Sequence, residues 1–293
     1  MLPQSRPKIR CREIGDADLA GIADLLAKSF TNRENQELRL RRLAERHSPD
    51  GLPRFGYLIE QDGRLVGAIL TIFSKLSLAG TSATRCNLSS WHVEPEYKAY
   101  GTLLISQALK HKDVVYLNVT ARPSVRPIVE AQGFSRYSEG LFVAAPLLTP
   151  SLTATTTIVG AGEPSNNSPA LRGLGPSEQS LLSDHSHYGC LSLACETSEG
   201  IQPFVFARRD LKGLIPCMQL VYCRGIDEFV RLAGVIGRVL ARRGIFLVTI
   251  DATKPIRGLA GKYYPGKMPK FIKGGSVRLG DLAYTNVALF ADL

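Results

Sequence analysis

The sequence predicts an α/β protein built on a mixed sheet, and three observations predict it. Two apolar strands, FGYLIEQ and LVGAILTIF, flank Asp62-Gly63, a dipeptide suited to the tight turn of an antiparallel hairpin. A strand ending at Val93, a helical pattern from Gly101 and a β-branched strand at Val114 to Thr120 then follow one another. Strands joined through a helix lie parallel, so both pairings belong to one fold. The second half of the chain runs again through three strands, a helix and a strand.

Composition narrows the class. At 293 residues the chain is long for one core and comfortable for two domains. Its apolar share of 44% is ordinary for a soluble protein, and no apolar run reaches the ~18 residues of a membrane span. The start, MLPQSRPKIRCRE, lacks the apolar stretch of a secretory signal. Six cysteines include no C-x-x-C pair and have no histidines at ligand spacing. They are expected to be reduced core thiols of a cytoplasmic protein, with no metal site. The net charge of +10 is shared evenly between the halves and favours an anionic partner: a CoA, nucleic acid, an acidic protein or a lipid surface.

The elements follow in order. KIRCREI (Lys8 to Ile14) alternates as a strand does. DADLAGIADLLAKSF reads as a helix with Asp16 as N-cap and Leu19, Ile22, Leu25, Leu26 and Phe30 on one face. Asn32 to His47 is a second, charged helix, and Ser48 to Pro53 is a loop. After the hairpin, a third strand of about Arg85 to Val93 leads to a helix at Gly101 to His111. Then come the strand Val114 to Thr120, a short helix ending at Gly133, and a strand in GLFVAAPLL.

Residues 149–187 are rich in Ser, Thr, Gly and Pro and read as a connection, with a strand possible at Thr155 to Val159 and a helix near Pro176 to Ser183. Beyond it, HYGCLSLAC, QPFVFARRD and LIPCMQLVYC are strands. IDEFVRLAGVIGRVLARRG is the clearest helix, with Asp227 in its first turn and Gly244 at its end. IFLVTIDAT is a buried strand, GLAGKYYPGKMPKFIKGG an irregular segment, and LAYTNVALF a last strand. The expected domains are 1–148, a linker at 149–187, and 188–293.

The stretch LSSWHVEPEYKAYGTLLISQAL (Leu88 to Leu109) carries the strongest chemical signal. A helix start presents unpaired N–H groups and a partial positive charge, and Lys98 adds a full one. A diphosphate would be held at Lys98, Ala99, Tyr100, Gly101, Thr102 and Leu103. The run VEPEYKAYGTL also resembles the acyl-CoA loop of the GNAT superfamily of N-acyltransferases, Val-x-Pro-x-x-(Arg/Gln)-x-x-Gly-x-(Gly/Ala). Val93, Pro95 and Gly101 match; Lys98 stands for Arg or Gln, and Leu103 for the small residue. The element order from Lys8 to Leu148 is also that of the GNAT fold, and the second half resembles a reduced copy of it.

The resemblance implies acetyl-CoA or another acyl-CoA as co-substrate and an amine acceptor, on a small molecule or a peptide. It implies a backbone N–H near Trp91 to Val93 for the oxyanion. His92 is the local candidate for general base, because imidazole titrates near neutral pH. Glu94 and Glu96 read as solvated. The family's acidic Tyr is replaced by Val129, so Tyr137 becomes the candidate acid. Pro123 and Ser124 fill the region of the family's Asn, which makes Ser124 a cofactor-side candidate. In the second half the helix starts directly at Arg224-Gly225-Ile226-Asp227, where a carboxylate repels phosphate. That half is expected to shape the acceptor site rather than to hold CoA.

Two rival readings follow from the same residues. Leu103 and Val129 suit a non-catalytic GNAT-fold binding module. The run Lys254, Arg257, Lys262, Lys267, Lys270, Lys273, Arg278, interleaved with Tyr263, Tyr264 and Phe271, suits a solvated loop, a grip on an anionic acceptor or the CoA 3′-phosphate, or a nucleic-acid surface. With no nucleic-acid motif present, nucleic acid is the weakest of the three.

Overall fold

The computed structural model describes residues 9–78, 81–160, 171–211 and 213–291. They divide into two units, one built from residues up to Leu76 with Ser82–Leu117, the other from Asn118 onward.

In the first unit five strands lie in the order β1 (Ile9–Glu13), β2 (Gly56–Gln61), β3 (Arg64–Leu78), β4 (Thr81–Val93), β5 (Val114–Asn118). Asp62 at φ 49° and Gly63 at φ 84° make the predicted turn, and β2 and β3 pair antiparallel from Gln61↔Arg64. β4 and β5 are parallel. Helices α1 (Leu19–Ala27) and α2 (Arg33–Glu45) bury Ile22, Leu25, Leu26, Leu40 and Leu43. The Asn32 side chain caps α2 by accepting the Asn35 N–H at 3.0 Å.

Asp16 does not cap α1. It opens a short 3-10 turn, and the chain direction there is set by Asp18. The Asp18 carboxylate accepts the Gly15 N–H at 2.8 Å and both Arg12 nitrogens at 2.7 and 2.8 Å, so the shared cation wins over a simple cap. Helix α3 (Gly101–Ala108) stops short of His111. The His111 carbonyl is taken by the Tyr116 hydroxyl at 3.0 Å and its Nε2 lies 2.8 Å from the Tyr57 hydroxyl, which ties this residue to the sheet instead.

The second unit contains α4 (Arg126–Ala131), β6 (Ser135–Ala144), β7 (Thr155–Val159), α5 (Pro176–His187), β8 (Leu191–Thr197), β9 (Gly200–Leu211), β10 (Ile215–Cys223), α6 (Ile226–Ala241), β11 (Val248–Ala252), β12 (Gly261–Lys273) and α7 (Asn286–Leu289). Its strands lie in the order β12-β6-β11-β10-β9-β8-β7. Its core gathers Phe204, Phe206, Phe229, Leu232, Ile236, Val248 and Ile250 on the α6 side of the sheet. Gly133 (φ 82°) and Gly244 (φ 72°) end α4 and α6 as predicted. Five of the six cysteines are buried and all six are free thiols.

Two expectations fail here. The run predicted as irregular is β12, paired with β6 from Gly261↔Ala144 to Ile272↔Ser135 around a bulge between Pro265 and Lys270. Gly266 (φ 70°) and Met268 (φ 51°) form that bulge; the Gly-Pro-Lys composition that reads as loop marks only this excursion. LAYTNVALF is not a strand: one bridge, Tyr222↔Asp281, lies just before it, and the run itself forms the helix α7. Its continuous burial carries no period, which is the case where buried strand and buried helix cannot be told apart. In the connection at 149–187 the strand and the helix allowed for there form as β7 and α5, and β7 pairs with β8 along its whole length.

Candidate active site

The parallel strands β4 and β5 hold register from Thr84↔Val114 to Asn87↔Leu117, and β4 runs on to Val93. Ser90 sits at φ 49°, a conformation that interrupts a regular strand, one residue before Trp91. β5 ends at Asn118 and β4 runs further; the carboxyl ends of parallel strands are where α/β sheets receive ligands. Asn87 Nδ2 donates to Leu117 O at 3.2 Å at the end of that register.

Beyond Val93 the chain does not form an extended loop. Pro95–Tyr100 is a 3-10 helix running into α3, with Tyr97 N–H on Glu94 O at 2.9 Å and Gly101 N–H on Lys98 O. Gly101 is helical (φ −57°) and buried. A Cβ on it would meet the Trp91 ring at 3.6 Å and Val93 at 3.7 Å, so this glycine marks where α3 rests on the end of β4. Gly67 of β3 has the tighter need. A Cβ there would lie 3.2 Å from Val93, 3.4 Å from the His92 carbonyl and 3.4 Å from Leu104.

Glu94, read as solvated, is buried at 4% exposure. Lys28 at the end of α1 donates to one carboxylate oxygen and Arg64 of the hairpin to the other, both at 2.5 Å. Burial alone would raise this carboxyl, but the two hydrogen-bonded cations outweigh it and hold it below the usual range. The clamp joins α1, the β2–β3 hairpin and the end of β4. No sequence spacing announces it, because its three members lie 30 and 66 residues apart.

The other sequence candidates fall as follows. Trp91, His92 and Val93 are half-buried on β4; Lys98, Ala99, Tyr100, Thr102 and Leu103 are exposed, with Leu103 at 41%. Trp91, Val93 and Gly101 come together. Ser124 and Tyr137 belong to the second unit, Ser124 exposed in the turn before α4 and Tyr137 half-buried on β6. Val129 is fully buried, a core residue of α4.

The second half repeats the short parallel pair. β10 and β11 are parallel through Met218↔Val248 and Gln219↔Thr249 only, and β10 carries its own irregularity between Leu220 and Tyr222. Residues 280–282 then lie against the edge of β10: Cys223 N–H donates to Gly280 O at 2.9 Å, and Leu282 N–H to Val221 O at 2.7 Å. A cavity of about 650 Å³ remains between the start of α6 and the end of β11, lined by Asp227, Asp251, Lys254 and Arg257 among others.

Within the basic run, Lys270 is fully buried rather than solvated. Its ammonium donates to Val119 O at 2.6 Å and stands 3.8 Å from the Asp251 carboxylate, itself 3% exposed. Burial pushes the Lys270 ammonium down and the Asp251 carboxyl up, and each partly offsets the other. Sequence reasoning missed this pair, because a lysine in a Gly-Lys-Tyr run carries no mark of burial.

No family model and no curated protein matches the sequence. Solved structures do match. A conserved protein of unknown function from Enterococcus faecalis V583 superposes with a TM-score of 0.57 at 16% identity, covering 94% of this chain and 73% of that one. GCN5-related N-acetyltransferases from Anabaena variabilis and Kribbella flavida each give 0.56, at 11% and 13% identity, covering 90% and 91% of this chain and 72% and 71% of theirs. The likeness therefore spans both halves, not only the stretch around Gly101. By its strand order, its parallel strands and these neighbours, the chain has the fold of the GCN5-related N-acetyltransferases.

Proposed function

We propose that this protein is an acyl-CoA-dependent N-acyltransferase, with the first half holding the co-substrate. The observation that carries the reading is the parallel β4–β5 pair, whose register ends at Asn87↔Leu117 while β4 runs on to Val93 and leads through a 3-10 turn into α3. The end of β4 beyond that register would offer backbone groups to the amide-bearing arm of a CoA, and exposed Lys98 charge to its phosphates. The corresponding edge of β10 is engaged by residues 280–282, which favours the first half as the cofactor-binding one. The proposed arrangement is a CoA-binding region of 1–148, a connection of 149–187, and a second GNAT-like region of 188–293.

In the reaction, the acceptor nitrogen attacks the thioester carbonyl, the C–S bond breaks, and CoA leaves as the thiolate. His92 is our candidate to take the proton from the attacking amine, and a backbone N–H near Trp91 to Val93 to steady the oxyanion. Tyr137 remains the candidate proton donor to the thiolate, with Ser124 on the cofactor side. The acceptor we propose is an amine, on a small molecule or a peptide. Val129, sealed in the core, favours a second reading: a fold that binds a CoA without turning it over.

Thiol release from acetyl-CoA, measured over a panel of amines and peptide N-termini, separates the two. Amine-dependent release that falls at least tenfold in His92→Ala supports transfer. Binding of the CoA with no release from any amine supports the second reading.

A further inference from the structure

We infer that the end of the second sheet opposite the cavity is a docking surface for an anionic membrane. Leu214 is 86% exposed, Phe246 58% and Ile215 50%. Leu214 and Ile215 lie at the tip of the β9–β10 hairpin, where Gly213 (φ 71°) turns the chain and Leu214 N–H donates to Leu211 O at 3.2 Å. Phe246 lies in the connection from α6 to β11.

These residues are distant in sequence, and the parallel register joins them. Met218 pairs with Val248, and Met218 N–H donates to Leu247 O at 3.0 Å. Counting back along both strands sets Phe246 level with Pro216 and the hairpin tip beside it. Three large apolar side chains thus project from two adjacent turns. Isolated exposed hydrophobics need no explanation, but a gathered set does.

The charge beside the patch is positive. Arg242 and Arg243 close α6 immediately before Gly244, and both are exposed, as are Arg238 on the last turn and Arg208 on β9. Arg243 donates to Val239 O at 3.1 Å. One carboxylate, Asp210, is exposed in the same region. A helix C-terminus accounts for arginines by itself. It does not account for leucine and phenylalanine held out in water next to them.

The kind of partner follows from shape and area. Three side chains on turn tips offer a few hundred Å² at most, against the roughly 800 Å² per partner of a standard protein interface. Protruding apolar tips flanked by cations need no complementary surface. They sink into the headgroup layer while arginines meet anionic lipids. No described helix is long and apolar enough to cross a membrane, so the contact is one of surface attachment.

The test is co-sedimentation of the whole chain with vesicles of phosphatidylcholine alone and of equal parts phosphatidylcholine and phosphatidylglycerol. We expect pelleting with the anionic vesicles only, weakened by high salt. Two double variants, Leu214→Ser with Phe246→Ser and Arg242→Gln with Arg243→Gln, should each reduce partitioning at least tenfold at unchanged circular dichroism. All four positions are exposed, so the fold tolerates the changes. Absence of pelleting, or pelleting that neither double variant reduces, overturns the proposal. So does a dimer seen by light scattering that the Leu214→Ser, Phe246→Ser variant abolishes, since the patch then belongs to a second copy of the chain.

Discussion

Replacing Lys270 by Met removes the ammonium and keeps most of the side-chain volume. Lys270 is 0% exposed and Asp251 3%. At their separation of 3.8 Å the attraction is about 4 kcal/mol at an effective dielectric of 20. Desolvating two ions costs several kcal/mol each, so the pair as a whole contributes little net stability. Taking away one member is different: it strands a carboxylate in the interior and leaves Val119 O without its donor at 2.6 Å. The expected loss in Lys270→Met is ~3–5 kcal/mol at pH 7.

The sign with pH follows from the carboxyl. Without its cation, Asp251 is held even further above its ordinary value in the folded state. The folded protein then binds a proton that the unfolded chain releases, so stability falls as pH rises above the unfolded value of about 4. The deficit should therefore be largest near pH 8 and shrink toward pH 4. Adding Asp251→Leu to Lys270→Met should restore most of the loss, to within about 1–3 kcal/mol of the parent. Urea unfolding followed by far-ultraviolet circular dichroism measures Lys270→Met, Asp251→Leu and the double variant. A deficit independent of pH, or losses that simply add in the double variant, would refute the reasoning by showing that packing and not charge sets the cost.

Two further outcomes follow. Glu94→Gln removes a buried carboxylate whose partners Lys28 and Arg64 are 55% and 65% exposed and can return to water, so the loss should be ~1–3 kcal/mol at pH 7. Because the folded carboxyl titrates below its unfolded value, that advantage is present above about pH 4 and disappears as pH falls through the folded value; a difference between parent and variant that persists at pH 2 would contradict it. Gly280→Ala places a Cβ 2.6 Å from Cys223 Sγ on a backbone at φ 77°, and should cost ~1–3 kcal/mol, partly recovered in a Cys223→Ala background. Neutral stability in Gly280→Ala would mean that residues 280–282 do not hold firmly against β10.

Much of the fold was legible because local signals agreed with one another. Asp62-Gly63 set a hairpin, Gly133 and Gly244 ended helices, and the spacing of Phe229, Leu232 and Ile236 defined α6 and its buried face. What escaped were features made by tertiary neighbours. Thr285 to Ala291 is buried almost throughout and so gives no period to read. β12 is recognisable only by its partner β6, since a bulge breaks its pattern. In the site, Val93 and Gly101 were legible as one motif, and they do meet, beside Trp91. The Glu94 clamp was not, because Lys28 and Arg64 reach it from elements distant in the chain. Lys270 was hidden for the same reason: its burial depends on Asp251 and Val119.

The most direct measurement is a calorimetric titration of the whole chain with acetyl-CoA. The account predicts one site per chain, with affinity reduced at least tenfold in Lys98→Glu, an exposed position whose change leaves the fold intact. No heat with acetyl-CoA or with longer acyl-CoAs, or two equivalent sites per chain, would contradict it.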